Sequence, residues 1–321
     1  MRHKLMNWPL AGILLLASLP ATAKTVAYWR FEDGQPDAQV QHLAGTNGVW
    51  SPDILDVSGN GNHLSAWSTD GWAGEAYKTD VAFSTVPNTG APNKYSIKNT
   101  GGYPGLWCPT LANWEPSQFT IEATFKPETG GWRTLVGRDS KGYGTQPGAD
   151  PSASALYFQI QPDNRVAITY QDVMGFQHTA RSAPGLIQGF QWSSDPNGLT
   201  GRWYSMAGTC DGKLLSLYLN DIAAGTGYQL VAQTDLTLSG STNTAMTKGI
   251  GSGSDWTAGS FSVMRGMYNG GHTDRAYGFI DEVRLSDTAH NDFLGSTVPE
   301  PGTLSLLALS GVALLRRRRT R

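Results

Sequence analysis

The usual markers of catalysis are missing from this chain of 321 residues. Its six histidines and two cysteines form no His-Glu-x-x-His and no Cys-x-x-Cys set, which removes the common zinc arrangements. No Gly-x-Ser-x-Gly elbow occurs, so the usual exposed serine nucleophile is absent. No strand carries Glu-x-Asp-x-x-Glu, a spacing that sets an acid and a nucleophile on one face. Asp281 and Glu282 are adjacent, so a regular strand would point them to opposite faces. Glu122 is the lone acid of its strand face and reads as solvent-exposed or salt-bridged. Also missing between Lys24 and Ser296 are helical periodicity longer than two turns, a fixed-period repeat, a charge run and a long low-complexity linker. Those absences, with the composition, favour one β-rich domain.

Basic charge is scarce once the two ends are set aside. Arg2, Lys4, the run Arg316-Arg317-Arg318-Arg319 and Arg321 hold seven of the 24 basic residues and none of the 26 acids. The body from Lys24 to Glu300 keeps 17 basic groups against those 26 acids, a net −9. That balance excludes nucleic acid, whose binding rests on neutralising phosphates with Lys and Arg. It suits divalent cations and neutral glycans.

What is present at the ends is an address. Arg2 and Lys4 precede an apolar run from Leu10 to Leu19 and an Ala21-Thr22-Ala23 site. These are the parts of a secretory signal peptide over residues 1–23. At the other end Pro299-Glu300-Pro301 leads into an apolar run from Leu304 to Leu315 and the arginine cluster Arg316, Arg317, Arg318 and Arg319. Residues 298–321 therefore resemble the PEP-CTERM sorting signal of Gram-negative bacteria. That resemblance implies recognition by an exosortase, export, and a place at the cell surface, in the outer membrane or in the extracellular matrix. The apolar run is shorter than the ~20 residues of a comfortable span, but flanking arginines can snorkel and extend it. Transient membrane anchorage through this segment, with removal near Val298-Pro299-Glu300-Pro301, is the expectation. Residues 24–290 are read as one domain and 291–297 as a spacer.

The body reads as strands and Gly-rich turns, with 39 glycines in the chain. Phe119-Thr120-Ile121-Glu122-Ala123-Thr124-Phe125 alternates strictly, with Phe119, Ile121, Ala123 and Phe125 on one face. Leu156–Ile160 and Arg165–Tyr170 flank a Pro-Asp-Asn turn, and Trp203–Thr209 and Leu214–Leu219 flank Asp211-Gly212. Thr25–Phe31 reads as the first strand, Trp132–Arg138 as another and Phe279–Leu285 as the last. Five motifs stand in order: Trp29-Arg30-Phe31-Glu32-Asp33, Asp56-Val57-Ser58-Gly59-Asn60-Gly61-Asn62-His63, Phe119–Ala123, Ala207–Gly212 and Ile280–Leu285. In that order they resemble laminin-G-like, concanavalin-A-like jelly rolls. The resemblance implies an all-β fold of two facing antiparallel sheets that binds glycans or proteins, in some members with a structural calcium. Residues 34–53, 67–114, 142–155, 183–201 and 251–272 read as long loops, where function usually sits.

Three sets of residues are candidates. Asp56 and Asn60, with the Asp56-x-Ser-Gly-Asn-Gly-Asn turn, offer oxygens to Ca²⁺. Asp281 would join from the closing strand, and Glu32 more weakly; the alternative is a metal-free Asx turn. Trp67, Trp72, Trp107, Trp114, Trp192 and Trp256 lie in loop-like sequence. Their indoles could stack on sugar C–H faces, or simply pack under the loops. Cys108 and Cys210 are a disulfide candidate in an oxidising compartment, the alternative being two separate buried thiols. The expectation is a non-catalytic surface or matrix protein that binds extracellular glycan, such as exopolysaccharide, or another surface protein. The alternative is a jelly-roll polysaccharide hydrolase or lyase.

Overall fold

The computed structural model describes residues 24–66, 74–100, 102–103, 105–142, 144–251 and 257–296. No α-helix occurs among them. The strands are β1 (Thr25–Trp29), β2 (Glu75–Lys78), β3 (Ser96–Asn99), β4 (Leu106–Cys108), β5 (Phe119–Lys126), β6 (Arg133–Asp139), β7 (Leu156–Ile160), β8 (Val166–Gln171), β9 (Gln177–Arg181), β10 (Tyr204–Cys210), β11 (Leu214–Asp221), β12 (Gln229–Asp235), β13 (Ser260–Val263), β14 (Gly266–Tyr268), β15 (Gly271–Thr273) and β16 (Phe279–Ser286). Eight form one sheet in the order β12-β11-β10-β5-β16-β3-β2, with β1 also on β16. Six form the second sheet, β4-β13-β6-β7-β8-β9, and β14-β15 is a small hairpin. All named pairings are antiparallel, giving a two-sheet sandwich of the jelly-roll kind. The first and last strands are neighbours: the far half of β16 pairs with β1 and its near half with β3.

Alternation builds the core. Phe119, Ile121, Ala123 and Phe125 of β5 face Leu156, Phe158 and Ile160 of β7 and Val166, Ile168 and Tyr170 of β8 in one buried cluster. Phe119 and Tyr170 meet edge to face across the sheets, with centroids 5.5 Å apart. The sheets approach closely at Gly208 of β10, where an added Cβ would lie 2.6 Å from Ile168 Cδ1.

The outward face of β5, in the middle of the eight-stranded sheet, is buried too, which strict alternation does not foretell. Thr120, Glu122, Thr124 and Lys126 of β5 are all at most 5% exposed. Three segments roof them. At one end Lys126 ion-pairs Asp80 and lies 5.5 Å and 4.8 Å from the ring centroids of Trp203 and Phe279. Lys98 sits 4.4 Å from the Trp192 ring centroid. At the other end Arg284 of β16 bonds Glu122 at 2.7 Å, and the Leu294 N–H donates to the same carboxylate at 2.7 Å. Glu122 is thus salt-bridged but not exposed. Phe293 packs between Tyr218 and Tyr228, with ring centroids 5.2 Å and 4.7 Å away. The segment expected to be a spacer is therefore roof as far as Ser296, because Phe293 and Leu294 are apolar and the sheet offers them a dry surface.

Candidate functional site

The calcium candidates Asp56, Asn60 and Glu32 are held by other groups, and Asp281 is held through one of its two oxygens. Asp56 Oδ1 accepts from the N–H groups of Tyr28 and Ser58, both at 2.9 Å. Its Oδ2 accepts from Ser58 Oγ at 2.8 Å and Asn62 N–H at 2.9 Å. Asn60 donates its amide to the carbonyls of Thr25 and Val26. Glu32 Oε1 accepts from the N–H groups of Lys94 and Tyr95 at 2.7 Å and 3.0 Å, and Asp281 Oδ2 accepts from Asn93 Nδ2 at 2.7 Å. Donors, not further oxygens, converge on Asp56, so the loop does not fit a cation that needs ~6–8 oxygen ligands. Among the described residues no three His, Cys, Asp or Glu side chains gather as a metal site.

The disulfide expectation is corrected. Cys108 and Cys210 are free, buried thiols in different sheets. Cys108 Sγ lies 3.1 Å from Thr110 Oγ1, and Cys210 Sγ 3.6 Å from the Tyr170 hydroxyl. Burial pushes the Cys108 thiol up to about 11 and Cys210 upward as well. Each is a small apolar side chain within the core.

The tryptophan candidates divide. Trp67, Trp72 and Trp256 lie outside the described residues. Trp107 is buried in β4, Trp114 packs on Phe261 at 5.4 Å, and Trp192 belongs to the roof over Lys98. Trp107 is thus closed to a ligand, while Trp114 and Trp192 each make a packing contact and stay partly accessible.

The outer face of the six-stranded sheet has a different character. Alternation sets Tyr157 and Gln159 of β7, Thr169 of β8, and Gln177 and Arg181 of β9 on the face opposite the core. They floor a hollow of about 470 Å³, within the usual ~300–1,000 Å³ of small-ligand sites. Trp132 and Tyr268 line it and are 45% and 49% exposed. Trp132 directly precedes β6. It shares the outward face with Thr134, whose strand partner is Gln159. Tyr268 rides the tip of the β14–β15 hairpin, where Tyr268 pairs with Gly271 across Asn269 and Gly270. Both turn residues have positive φ, +50° and +78°, the Asn-Gly pattern of a two-residue hairpin turn.

The polar groups here are held in place. Gln177 Oε1 accepts from the Asp150 N–H at 3.0 Å, and Gln171 Nε2 donates to the Asp150 carbonyl at 2.8 Å. Two carboxamides thereby fix one wall. Asp150 Oδ1 accepts from Ser152 N–H at 2.8 Å. Across the hollow, burial raises the Asp274 carboxyl above its ordinary range. The Gln159 carboxamide oxygen, buried at the floor, accepts no hydrogen bond. Beyond Trp132 a second hollow of about 410 Å³ shares Trp132, Thr273 and Asp274 with the first. None of these residues was singled out as a binding candidate from sequence. The readable signal was Asn269-Gly270 beside Tyr268; Trp132 was read as the start of a strand.

Comparison with known proteins bears on the two parts of the chain separately. Residues 297–319 match the PEP-CTERM protein-sorting motif, which indicates exosortase-sorted export and surface association in a Gram-negative bacterium. No curated protein matches the chain. Among solved structures it is similar to the Ruminococcus gnavus IT-sialidase CBM40, at 17% identity over 57% of this chain and 82% of that one, with a TM-score of 0.38. It is also similar to the botulinum neurotoxin serotype G binding domain, at 9% identity over 84% of this chain, with a TM-score of 0.48. It spans about half of that domain, 49%.

Proposed function

We propose that this exported domain binds extracellular glycan, such as exopolysaccharide, in the hollow of the six-stranded sheet, and that it does so without turning the glycan over. The observation that carries this reading is the pairing of two half-exposed rings, Trp132 and Tyr268, with a floor of carboxamide and hydroxyl groups. A sugar ring presents C–H faces and hydroxyl edges. An indole or phenol ring covers the former, and Gln, Thr and Arg groups bond the latter. The contrast between the sheets supports the location. The middle of the eight-stranded sheet's outer face is roofed by its own chain, and the hollow of about 400 Å³ farther out, over Thr209, Ser216, Tyr218 and Gln233, lacks an exposed indole such as Trp132 gives the other sheet. The sorting motif brings the domain to where such polymers lie.

Two carboxylates, Asp150 and Asp274, line the same hollow, and that observation favours hydrolysis as the competing reading. Asp150 already spends one oxygen on its own turn. A glycan array with the purified protein tests both readings. Binding is expected to one glycan class, with Trp132→Ala weakening it roughly thirtyfold, the ~2 kcal/mol of an aromatic hot spot. No new reducing ends should appear on incubation with the bound polymer. An array blank for the wild type would overturn the binding reading, and release of reducing ends would establish the hydrolase.

A further inference from the structure

The exposed aromatic side chains of this protein are not scattered. Among the described residues three are exposed: Tyr103 at 53%, Tyr268 at 49% and Trp132 at 45%. The other described Phe, Tyr and Trp side chains are buried or half-buried. All three meet at the two adjoining hollows. Tyr268 lines the first hollow, and Trp132 lines both. Tyr103 stands at the second, where its ring centroid lies 4.9 Å from the guanidinium carbon of Arg275, a lining residue. The succession is therefore Tyr268, first hollow, Trp132, second hollow, Arg275 and Tyr103.

One stretch of chain walls both hollows. Beyond the hairpin tip at Tyr268, Thr273 and Asp274 line both, and Arg275 and Tyr277 line the second alone. The Thr134 N–H donates to the Asp274 carbonyl at 2.7 Å, which fastens this stretch to β6. Arg133 braces the divide between the hollows. Its Nη1 donates to the Trp132 carbonyl at 3.0 Å, and its Nε lies 3.2 Å from Glu128 Oε2. Its guanidinium carbon is 5.3 Å from the Tyr277 ring centroid. Gly131 leaves room for that guanidinium: a Cβ there would lie 2.2 Å from Arg133 Nη1 and push it aside. The floor and both ring stations are thus built on strands or fastened to them.

Each hollow, of about 470 Å³ and 410 Å³, has the size of a small-ligand site of its own. Three ring platforms exceed what one sugar can cover. Rings left in water at intervals along a joined trough suit a chain of repeated units, each unit laying a C–H face on the next ring. We propose that the two hollows form one track that takes an internal stretch of a polysaccharide, several sugars long, with Tyr268, Trp132 and Tyr103 as successive platforms. This rests on the glycan reading above and adds the ligand class: the interior of a polymer chain, not a chain end or a free monosaccharide.

The test is calorimetric titration of the purified protein with size-graded ladders, from a disaccharide to an octasaccharide. They are cut by partial acid hydrolysis from dextran, xylan, cellulose and the strongest binder on the array. Wild-type affinity should rise with length by roughly tenfold or more and then level off. Tyr103→Ala removes an exposed ring, and its loss should grow with length to roughly tenfold for the octasaccharide. Trp132→Ala should weaken binding at every length. Equal wild-type affinity for the disaccharide and the octasaccharide overturns the track and leaves the glycan reading standing. So does a Tyr103→Ala loss that is absent or the same at every length. No binding at any length, on any ladder, overturns the glycan reading and the track with it.

Discussion

Asp56 holds the loop after β1 through four donors on two oxygens, three of them backbone N–H groups. A turn rich in Asp, Asn and Gly is ambiguous as sequence, because the same short polar side chains suit a cation cage and an Asx turn. The hydrogen bonds on Asp56 all come from donors, which is the pattern of the Asx turn and which the order of residues does not show. Asp56→Ala would strand buried donors and should cost about 3 kcal/mol, read as a lower urea midpoint at unchanged slope. Wild-type melting should be the same in calcium and in EDTA. A calcium-dependent rise in Tm that Asp56→Ala abolishes would show that the loop opens to admit the ion. Cys108 and Cys210 make the same point about single residues. An even count and an oxidising compartment suggest a bridge, yet each thiol has its own place in a separate sheet.

At the scale of elements, the hairpins were legible where alternation and turn residues coincide. The β7–β8 and β10–β11 pairs stand where the sequence pattern puts them, and β1 and β16 form over the stretches read as the first and last strands. The strands β2, β3, β4 and β13 lie in stretches that read as loops, because they are short and interrupted by Gly, Pro and polar residues. Their pairing is long-range: β4 finds β13 across about 150 residues of chain. The roof was not legible for the same reason. Whether Glu122 meets water depends on Arg284 and Leu294, both distant in sequence. That carboxylate is the anchor between β5, β16 and the segment 287–296, since Arg284 also donates to the Asp292 carbonyl at 2.7 Å. Arg284→Ala leaves Glu122 buried and unpaired, and should cost about 3–5 kcal/mol. Hydrogen exchange should quicken at Leu294 and its neighbours before it does in β7 and β8. Uniform acceleration over both sheets would mean that the segment is no separate unit.

The whole molecule is asymmetric. One sheet carries the middle of its outer face beneath its own loops, and the last described residue of that roof, Ser296, precedes the sorting segment that begins at residue 297. The other sheet keeps a hollow whose rim carries exposed rings. The sorting address and the all-β class were legible from one end and from strand periodicity. The hollow was not, because Trp132, Gln159 and Tyr268 are brought together only by sheet register and one hairpin tip. The most direct measurement is chemical-shift mapping of the isotope-labelled protein with the strongest ligand from the array. The account predicts that the Trp132 indole, the Gln159 side-chain amide and Tyr268 shift together while the Trp192 indole of the roof stays in place. Shifts confined to the roof or to the loop of residues 43–57, with Trp132 unmoved, would contradict it.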